Sequence, residues 1–348
     1  MSLKKLWYLF FKYYIKTGLF FYTKKISLVG RENIPRKGAI LFAVNHPNGL
    51  LDPLLVTTNT PRVTHYLVRA AIFKKPLVKK FLSTLNLMPI YRIRDGIHQL
   101  SKNEEVFKDC YQILYRESAL MIFPEGSHDR RRTVRNLSKG FTRILFGTMD
   151  MHPSLPITII PVGVTYQKSG SFPCKVAIHY GKGISANELY NPSEIKNSID
   201  AIKKEVSEQL KKLSVHISAD EHYAKTLEKL NMNNVDFTQV HQINSMIHTG
   251  NVVKKQQPFD IGIFFRTLFI INSILPWVIW KVISKKIDEV EFVDTFRFGI
   301  GISLFPLFYI LQTIVVYHFF TMQMAVFYFI GSLICSLLYS KTSSTPTR

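Results

Sequence analysis

The chain has 348 residues, of which 47% are hydrophobic, so it is long enough for one large domain with additional elements and can bury a full core. It carries 45 basic and 24 acidic residues, a formal net charge of +21. A basic protein is typical of partners that carry phosphate, but no RNA-binding signature, zinc-finger spacing or coiled-coil basic region occurs, so the sequence argues against nucleic acid. The apolar C-terminal third favours anionic membrane lipids instead.

The cysteines exclude two further classes of protein. Cys110, Cys174 and Cys335 are the only three, and no two of them form a CxxC pair. This spacing argues against a disulfide framework and against a zinc site, and the sequence predicts no metal centre. Reduced thiols are consistent with a domain that faces the cytosol.

Residues 1–26 are predicted to form an amphipathic helix that lies in a membrane interface. The apolar run at 6–22 is rich in aromatic residues, and at 100° per residue Lys5, Lys12 and Lys16 fall on one narrow face. Such a division is typical of interfacial helices. An ordinary amphipathic core helix is the alternative, and a signal peptide is disfavoured because the lysines interrupt the apolar run.

Short apolar runs alternate with helical patterns through the next part of the chain. Four runs predict buried strands, at residues 39–45, 119–123, 157–165 and 175–180. Helical periodicity lies near residues 73–84, 97–117 and 137–149. The alternation predicts an α/β fold with a mostly parallel sheet flanked by helices, and functional side chains in loops at the carboxyl ends of its strands.

The C-terminal part is predicted to be a membrane region. Residues 216–258 are a helical connector with a polar end, and residues 341–348 are a tail. Between them, residues 259–340 contain three long apolar stretches, at 262–283, 299–317 and 321–339. The second and third carry no charge and are each long enough to span a bilayer, so they predict a tight transmembrane hairpin.

The stretch at 262–283 contains Arg266, Pro276 and Lys281, and it either spans the membrane or lies in the interface. If it spans, five later cations lie opposite the basic domain; if only the hairpin spans, they lie on the same side as the domain. These cations are Lys285, Lys286, Arg297, Lys341 and Arg348. The positive-inside rule favours the second topology, with the domain on the cytoplasmic face of an integral membrane protein.

A histidine and an aspartate stand close together after the first predicted strand, in the segment Asn45-His46-Pro47-Asn48-Gly49-Leu50-Leu51-Asp52-Pro53. Histidine can remove the proton of an alcohol as it attacks, and a carboxylate on the other ring nitrogen fixes the tautomer and stabilises the imidazolium. The alternative is that His46 caps a turn and Asp52 caps a helix. No GxSxG elbow occurs, which argues against a serine hydrolase.

A second motif, Phe123-Pro124-Glu125-Gly126-Ser127-His128-Asp129-Arg130, follows the strand predicted at 119–123. Gly126 permits a turn with positive φ and the close approach of a ligand. Glu125 can bind substrate hydroxyls or hold an arginine in place, and His128 is the one rival base to His46. A plain turn at a strand end is the alternative interpretation.

Cations are concentrated in the loops around both motifs. They are Arg92, Arg94, Arg130, Arg131, Arg132, Arg135 and Lys139. Arginine suits phosphate because its planar guanidinium binds two oxygens at once. We expect one or two of these cations to reach a substrate phosphate and others to meet lipid headgroups, although solvated surface charge is the usual role of an isolated arginine.

These blocks, in this order, resemble the glycerophospholipid acyltransferase family. The motifs cover residues 39–166, and the resemblance implies an acyltransferase domain over about residues 27–215. It implies His46 as the base, Asp52 as the residue that orients it, and acceptor binding by Arg92, Glu125 and Gly126. It also implies acyl-CoA or acyl-carrier protein as donor, with no other cofactor and no metal.

Two features differ from the commoner family pattern. Five residues separate His46 from Asp52 where four are usual, and FPEGSHDR replaces FPEGTR. Both features resemble the branch of the family that uses glycerol-3-phosphate as acceptor. Since His128 stands where the family has arginine, the expected phosphate contact moves to Arg130. Ser127, His128 and Lys139 complete the predicted substrate-binding set.

The sequence therefore predicts a membrane acyltransferase of phospholipid synthesis that transfers a fatty acyl group from a thioester to glycerol-3-phosphate. Acylation of 1-acylglycerol-3-phosphate (lysophosphatidate) or of another lysophospholipid is the alternative acceptor choice. Two alternatives belong to other classes: a lipid hydrolase that uses the same pair on water, and a basic membrane-anchored scaffold with no enzymatic activity.

Overall fold

The computed structural model of the chain describes residues 3–92, 97–254 and 260–345. Four parts of the predictions above therefore lie outside the described residues. They are residues 1–2 of the N-terminal helix, Arg94, residues 255–259 at the junction of connector and membrane region, and residues 346–348 of the tail, which include Arg348.

Eight strands form one mixed sheet within the described residues. They are Thr23–Val29 (β1), Ala39–Val44 (β2), Thr64–Arg69 (β3), Leu87–Ile90 (β4), Ala119–Ile122 (β5), Ile157–Tyr166 (β6), Cys174–Tyr180 (β7) and Ile184–Ser185 (β8). Their order is β1-β7-β6-β2-β5-β3-β4, with β8 beside β6. β6 runs antiparallel to β7 and β8, and every other neighbouring pair is parallel, so the mostly parallel sheet predicted from the sequence is confirmed.

Twelve α-helices accompany the sheet in the part of the chain that the structure describes. They are Leu3–Tyr22 (α1), Leu51–Asn59 (α2), Pro76–Thr84 (α3), Asn103–Tyr115 (α4), Gly140–Met151 (α5), Ile195–Leu213 (α6), Tyr223–Met232 (α7), Val240–Thr249 (α8), Gly262–Asn272 (α9), Ile274–Ser284 (α10), Val293–Phe319 (α11) and Met322–Thr342 (α12).

The central strand β2 shows how the sheet divides the core. All of its residues are buried. Ile40 and Phe42 pack in the cluster that includes α1 and α2, whereas Leu41 and Ala43 pack in the cluster that includes α4, α5 and α6. A parallel strand that is covered on both faces has a continuous apolar sequence, and this is why β2 could be predicted from the sequence.

The four predicted strands correspond to β2, β5, β6 and β7, each within one residue at either end. The sequence did not reveal β1, β3, β4 or β8. β1 is an edge strand that begins Thr-Lys-Lys, and β3 and β4 are short, at 6 and 4 residues, while β8 has only 2. Such strands lack the long apolar run that marks a central parallel strand.

The N-terminal helix α1 packs on the domain through Tyr8, Lys12 and Leu19, whereas Lys5 and Lys16 are exposed. Lys12 donates hydrogen bonds to the carbonyl oxygens of Thr60 and Arg62, at 2.7 and 3.4 Å. Phe10, Tyr13 and other aromatic side chains of α1 remain exposed on the outside. This arrangement suits a helix whose aromatic side lies in a membrane interface, which remains our prediction.

Two of the C-terminal helices are long and apolar enough to cross a membrane. They are α11 with the turn before it, Val290–Phe319, and α12, which follows after two residues. The apolar stretch predicted at 262–283 is instead broken into α9 and α10, which are bent by 97° at Ser273. By length and composition the pair is either a broken span or a re-entrant loop.

The first turn of α11 and the last turn of α12 both contact the α/β domain. Near the start of α11, Asp294 accepts a hydrogen bond from the side chain of Asn48 at 2.8 Å. At the end of α12, Lys341 donates to the carbonyl oxygen of Thr23 at 2.6 Å. The two helices therefore form a hairpin that leaves the domain and returns to it.

The two ends of the α9–α10 pair also lie near the domain. Asp260, just before α9, accepts from the amide of Ser344 at 3.0 Å, beside the end of α12. α10 ends five residues before Glu289, which lies 3.5 Å from His128. Five residues reach at most about 17 Å, well short of the about 30 Å of a bilayer core, so the contacts favour a re-entrant pair.

We expect a cysteine in the tight turn between α11 and α12 to lie across the membrane from the domain. In sealed vesicles with the domain outside, a membrane-impermeant maleimide should label Phe320→Cys only after the vesicles are opened. The control is Asn251→Cys, an exposed position of the domain. Labelling of Phe320→Cys in sealed vesicles to the same extent as the control would contradict the hairpin.

Candidate active site

The carboxyl ends of three neighbouring strands supply the candidate site. β2 leads into His46, β5 leads into Phe123, and β6 ends at Tyr166. Because β2 is parallel to both β5 and β6, these three strand ends meet at one edge of the sheet. The structure thus brings the two sequence motifs together at the edge where the alternation of strands and helices placed them.

His46 and Asp52 form a hydrogen-bonded pair. The distance from His46 Nδ1 to Asp52 Oδ2 is 2.8 Å, with the histidine side chain 15% exposed and the aspartate fully buried. Asp52 lies in the first turn of α2, all of whose residues are buried. The six-residue step from His46 to Asp52 is therefore spanned by a tight loop and the start of a buried helix.

Two more donors complete the surroundings of the Asp52 carboxylate. The hydroxyl of Tyr166 donates to Oδ1 at 2.7 Å, and the backbone N–H of Asn48 donates to Oδ2 at 2.7 Å. Burial raises the pKa of the Asp52 carboxyl, and these two hydrogen bonds oppose that rise because they stabilise the ionised form. The Asn48 bond also ties the loop before α2 to Asp52. The N-cap of α2 is Leu50, and no side chain caps the helix, so the alternative in which Asp52 acts as the helix cap is wrong.

The other ring nitrogen of His46 faces the site. Within the described residues, Nε2 has no hydrogen-bond partner, while Nδ1 is held by Asp52. Burial lowers the pKa of His46, and the positive charges of Arg135 and Arg92 lower it further. A neutral imidazole with its proton on Nδ1 leaves Nε2 as an acceptor, which is the state that a general base requires.

The second motif is built around a tight turn. Gly126 adopts a left-handed φ of 74°, and its N–H donates to the carbonyl oxygen of Phe123 at 3.0 Å. The Phe123 ring stacks on the His46 ring with 4.0 Å between centroids. The N–H of Asp129 donates to the carbonyl oxygen of His46 at 3.0 Å, so this loop both covers the histidine and fixes its backbone.

Glu125 and Ser127 are held by an arginine. Arg135 Nε donates to Glu125 Oε2 at 2.8 Å, and its NH1 donates to Ser127 Oγ at 2.7 Å. The Glu125 side chain is only 4% exposed. Of the two roles that the sequence left open for Glu125, the structure shows the one in which it holds an arginine, and this places a fixed cation close to His46.

The remaining predicted residues lie at different distances from the pair. Arg92 follows β4, and its charge acts on His46. The His128 ring lies edge-on to His46 at 5.7 Å, and its Nε2 is 3.5 Å from Glu289. Arg130 donates to the carbonyl oxygen of Val290.

Lys139 lies farther from the pair. Its side chain is exposed at the start of α5, and it is not among the residues that line the pocket around His46.

Sequence reasoning missed Tyr166, Asn48 and Arg135 as site residues. Tyr166 ends β6, and its place at the carboxyl edge of a strand was a usable signal. Asn48 stands inside the first motif but acts through its backbone N–H, which no sequence pattern reports. Arg135 stood in the recognised arginine cluster, where nothing distinguished it from its neighbours.

Two cavities frame this region. A pocket of about 40 Å³ is lined by residues of both motifs, including His46 and Glu125. A larger cavity of about 450 Å³ lies between α1 and the C-terminal helices, where Tyr22 and Arg297 are among its lining residues. Across the described residues, no group of three or more His, Cys, Asp and Glu side chains is placed to hold a metal ion.

Comparison with known proteins identifies the part of the chain that carries these motifs. Residues 25–165 match the family model described as Acyltransferase. Over 118 residues the chain is 24% identical to Glycerol-3-phosphate O-acyltransferase 1 of Saccharomyces cerevisiae. This aligned region covers 32% of this chain and 16% of that protein. Over 159 residues it is 26% identical to the Probable 1-acyl-sn-glycerol-3-phosphate acyltransferase of Mycoplasma pneumoniae. This second aligned region covers 43% of this chain and 56% of that protein.

Among solved structures, the chain is similar to the 1-acyl-sn-glycerophosphate (LPA) acyltransferase PlsC from Thermotoga maritima. The TM-score is 0.40 at 19% identity, covering 56% of this chain and 74% of that one. The chain spans 16% and 56% of the lengths of the two curated relatives above, less than two thirds of either. The residues that match the Acyltransferase family model, 25–165, contain both motifs and the His46–Asp52 pair.

Proposed function

We propose that this protein is a membrane acyltransferase of phospholipid synthesis, which transfers a fatty acyl group from an acyl thioester to a hydroxyl of glycerol-3-phosphate. The observation that carries the proposal is the His46–Asp52 pair, held at 2.8 Å with Nε2 directed to the site, inside the residues that match the Acyltransferase family model. A fixed arginine beside the pair adds the positive charge that a phosphorylated acceptor requires.

In the proposed reaction, His46 Nε2 accepts the proton of the acceptor hydroxyl while that oxygen attacks the thioester carbonyl carbon. Asp52 holds the Nδ1 proton and stabilises the imidazolium that forms. Collapse of the tetrahedral intermediate breaks the carbon–sulfur bond, and the leaving thiolate takes the proton back from His46. The new ester and a free thiol are the products, and no covalent enzyme intermediate is required.

The acyl donor is proposed to be acyl-CoA or acyl-carrier protein, with no other cofactor. For the acceptor phosphate we propose Arg92 and Arg130, at the rim of the site. The Gly126 turn, Ser127 and His128 would lie against the glycerol moiety. Lys139 is the member of the predicted set with least support, because its side chain is exposed at the start of α5.

Glycerol-3-phosphate is our first choice of acceptor because of the SHDR ending of the second motif. Lysophosphatidate is the alternative, and relatives named for each acceptor match this chain. The apolar helices α11 and α12 support an integral membrane protein. We place the domain on the cytoplasmic face, where its basic surface would meet anionic lipid.

The central test is an acyl-transfer assay on the purified full chain with labelled acyl-CoA, offering glycerol-3-phosphate and lysophosphatidate separately. We expect product from glycerol-3-phosphate, reduced about 100- to 10,000-fold in His46→Ala because a general base is lost. Asp52→Asn should show a loss of similar size, since the amide no longer fixes the tautomer.

The other outcomes discriminate between the alternatives. Product from lysophosphatidate alone would assign the second acylation. Labelled free fatty acid in place of an ester would indicate a hydrolase. Transfer to neither acceptor, from acyl-CoA or from acyl-carrier protein, would contradict the proposal and favour a scaffold.

Tyr166→Phe tests the support of the Asp52 carboxylate. Removing one of three donors leaves a buried carboxylate oxygen without its hydrogen bond, and we expect kcat to fall roughly 10-fold with little change in KM. The matched control is Tyr180→Phe, a fully buried tyrosine of β7 whose hydroxyl, within the described part of the chain, donates only to the Val56 carbonyl oxygen, at 3.4 Å. Equal kcat values for the two variants would show that the Tyr166 hydroxyl does not act on the pair.

The pH dependence tests the electrostatics of His46. The base is active when neutral, so the lowered pKa of His46 should keep kcat/KM high below the ordinary histidine range, with a fall only as the pH drops through the lowered pKa. Arg135→Gln removes a nearby positive charge, raises that pKa and should move the acid limb to higher pH. Arg131→Gln is the control, because Arg131 is exposed and pairs with Asp129. An acid limb at the same pH in both variants would contradict the assignment.

A further inference from the structure

The first turn of α11 packs directly on the loop between His46 and Asp52, although it lies far outside residues 25–165 that match the family model. The N–H of Gly49 donates to the carbonyl oxygen of Glu291 at 3.4 Å, and the N–H of Leu50 donates to Thr295 Oγ1 at 3.1 Å. A Cβ on Gly49 would meet these atoms and Phe292 at 3.2 Å, so the two segments are in close contact.

Asp294 is the centre of this contact. Its side chain is 3% exposed. Oδ2 accepts from Asn48 Nδ2 at 2.8 Å and from the N–H of Gly170 at 2.6 Å, while Oδ1 accepts from the Tyr22 hydroxyl at 2.8 Å and from Arg297 NH1 at 3.1 Å. Four donors thus converge on one buried carboxylate, three from outside α11 and one from Arg297, one turn further along the same helix.

A buried carboxylate is not what membrane anchoring alone requires. Removing a charge from water is costly unless it is paired and fully hydrogen-bonded, so this group fixes one docking arrangement of α11 and disfavours others. Asp288, in the preceding segment, is exposed and has none of these contacts.

The link from Asp294 to the catalytic pair runs through Asn48. The Asn48 side chain is fully buried, and its NH₂ group donates to Asp294 and to Ser169 Oγ, at 2.8 and 3.1 Å. Its Oδ1 atom has no partner among the described residues, so these two donated bonds orient the amide. The backbone N–H of the same residue donates to Asp52 Oδ2, the oxygen that also faces His46.

We propose that Asp294 is a positioning residue for the acyl-transfer reaction, and that it acts through Asn48 to hold the loop on which the geometry of Asp52 and His46 depends. This rests on the proposed function. The membrane-proximal turn of α11 is then a part of the active site as well as the beginning of a membrane helix.

The test compares Asp294→Asn with Asp288→Asn in the purified full chain. Asparagine has the shape of aspartate, but its NH₂ group replaces one of the two oxygens and faces both donors that this oxygen bound, so at least one contact is lost. We expect kcat to fall about 10- to 100-fold with KM for both substrates within about twofold, because the reacting groups are misplaced while substrate binding is retained. Asp288→Asn should match the wild type.

A double-mutant cycle separates positioning from general support of the fold. Asn48→Ala alone should lower kcat, and in that background Asp294→Asn should lower it by less than about twofold more, since the link is already broken. Thr295→Val is a second, isosteric probe that leaves the Asp294 contacts in place and removes the oxygen that binds Leu50. It should lower kcat in the same direction by a smaller factor.

Several results would overturn the inference. They are a kcat of Asp294→Asn equal to that of Asp288→Asn, a loss confined to KM, or fully multiplicative losses in the cycle. Wild-type protein that transfers no acyl group would refute the proposed function instead. In that case amide hydrogen exchange at Gly49 and Leu50 decides the inference: faster exchange in Asp294→Asn than in Asp288→Asn supports it, and equal exchange refutes it.

Discussion

The burial of the Asp52 carboxylate is the constraint on which the rest of the site depends. A carboxylate removed from water costs several kcal/mol unless its partners are in place, so they must be present whenever the chain is folded. His46 and Asn48 come from the loop after β2, and Tyr166 comes from the end of β6. The interactions that make this burial tolerable are the ones that orient His46, and the pair is therefore preorganised by the fold itself.

The arginines around the His46–Asp52 pair fall into two groups. Some are bound to other protein groups, and others face outward at the rim of the site. Arg135 is bound to Glu125, and Arg132 donates to the carbonyl oxygens of Tyr166 and Gln167, at 3.0 and 2.7 Å. Their charge is thus fixed in position and acts on the site without being available to a ligand in the way a mobile side chain is. Cations at the rim are therefore better placed to bind a phosphate, because the guanidinium groups of Arg132 and Arg135 are already held by protein acceptors.

The sequence predicted the sheet well where strands are central and poorly where they lie at edges. The run AILFAV is buried on both faces and reads as one apolar block, whereas β1 is polar at its start and is identified only by its pairing with β7. At the site, His46 and Asp52 could be inferred because general-base chemistry demands those residue types close together. Asn48 and Asp294 could not, because one acts through its backbone and the two are 246 residues apart in the chain.

The segment before α11 shows why charge counts alone were insufficient. The acids of this segment and of the first turn of α11 are Asp288, Glu289, Glu291 and Asp294, and acidic residues count little in the positive-inside rule. In the structure this segment lies against the basic loop of the second motif: Glu289 is 3.5 Å from His128, and Arg130 donates to the carbonyl oxygen of Val290. An acidic segment that docks on a basic site screens it from other anions.

Arg130 is therefore shared between two roles, since the residue we propose for the acceptor phosphate also binds the membrane-proximal segment. A phosphate that draws Arg130 toward the substrate would weaken one contact of that segment while Asp294, with its own four donors, keeps the segment in place. In our proposal, acceptor binding would therefore engage Arg130, whereas docking of the membrane hairpin depends on Asp294, whose contacts do not have to be released for substrate to bind.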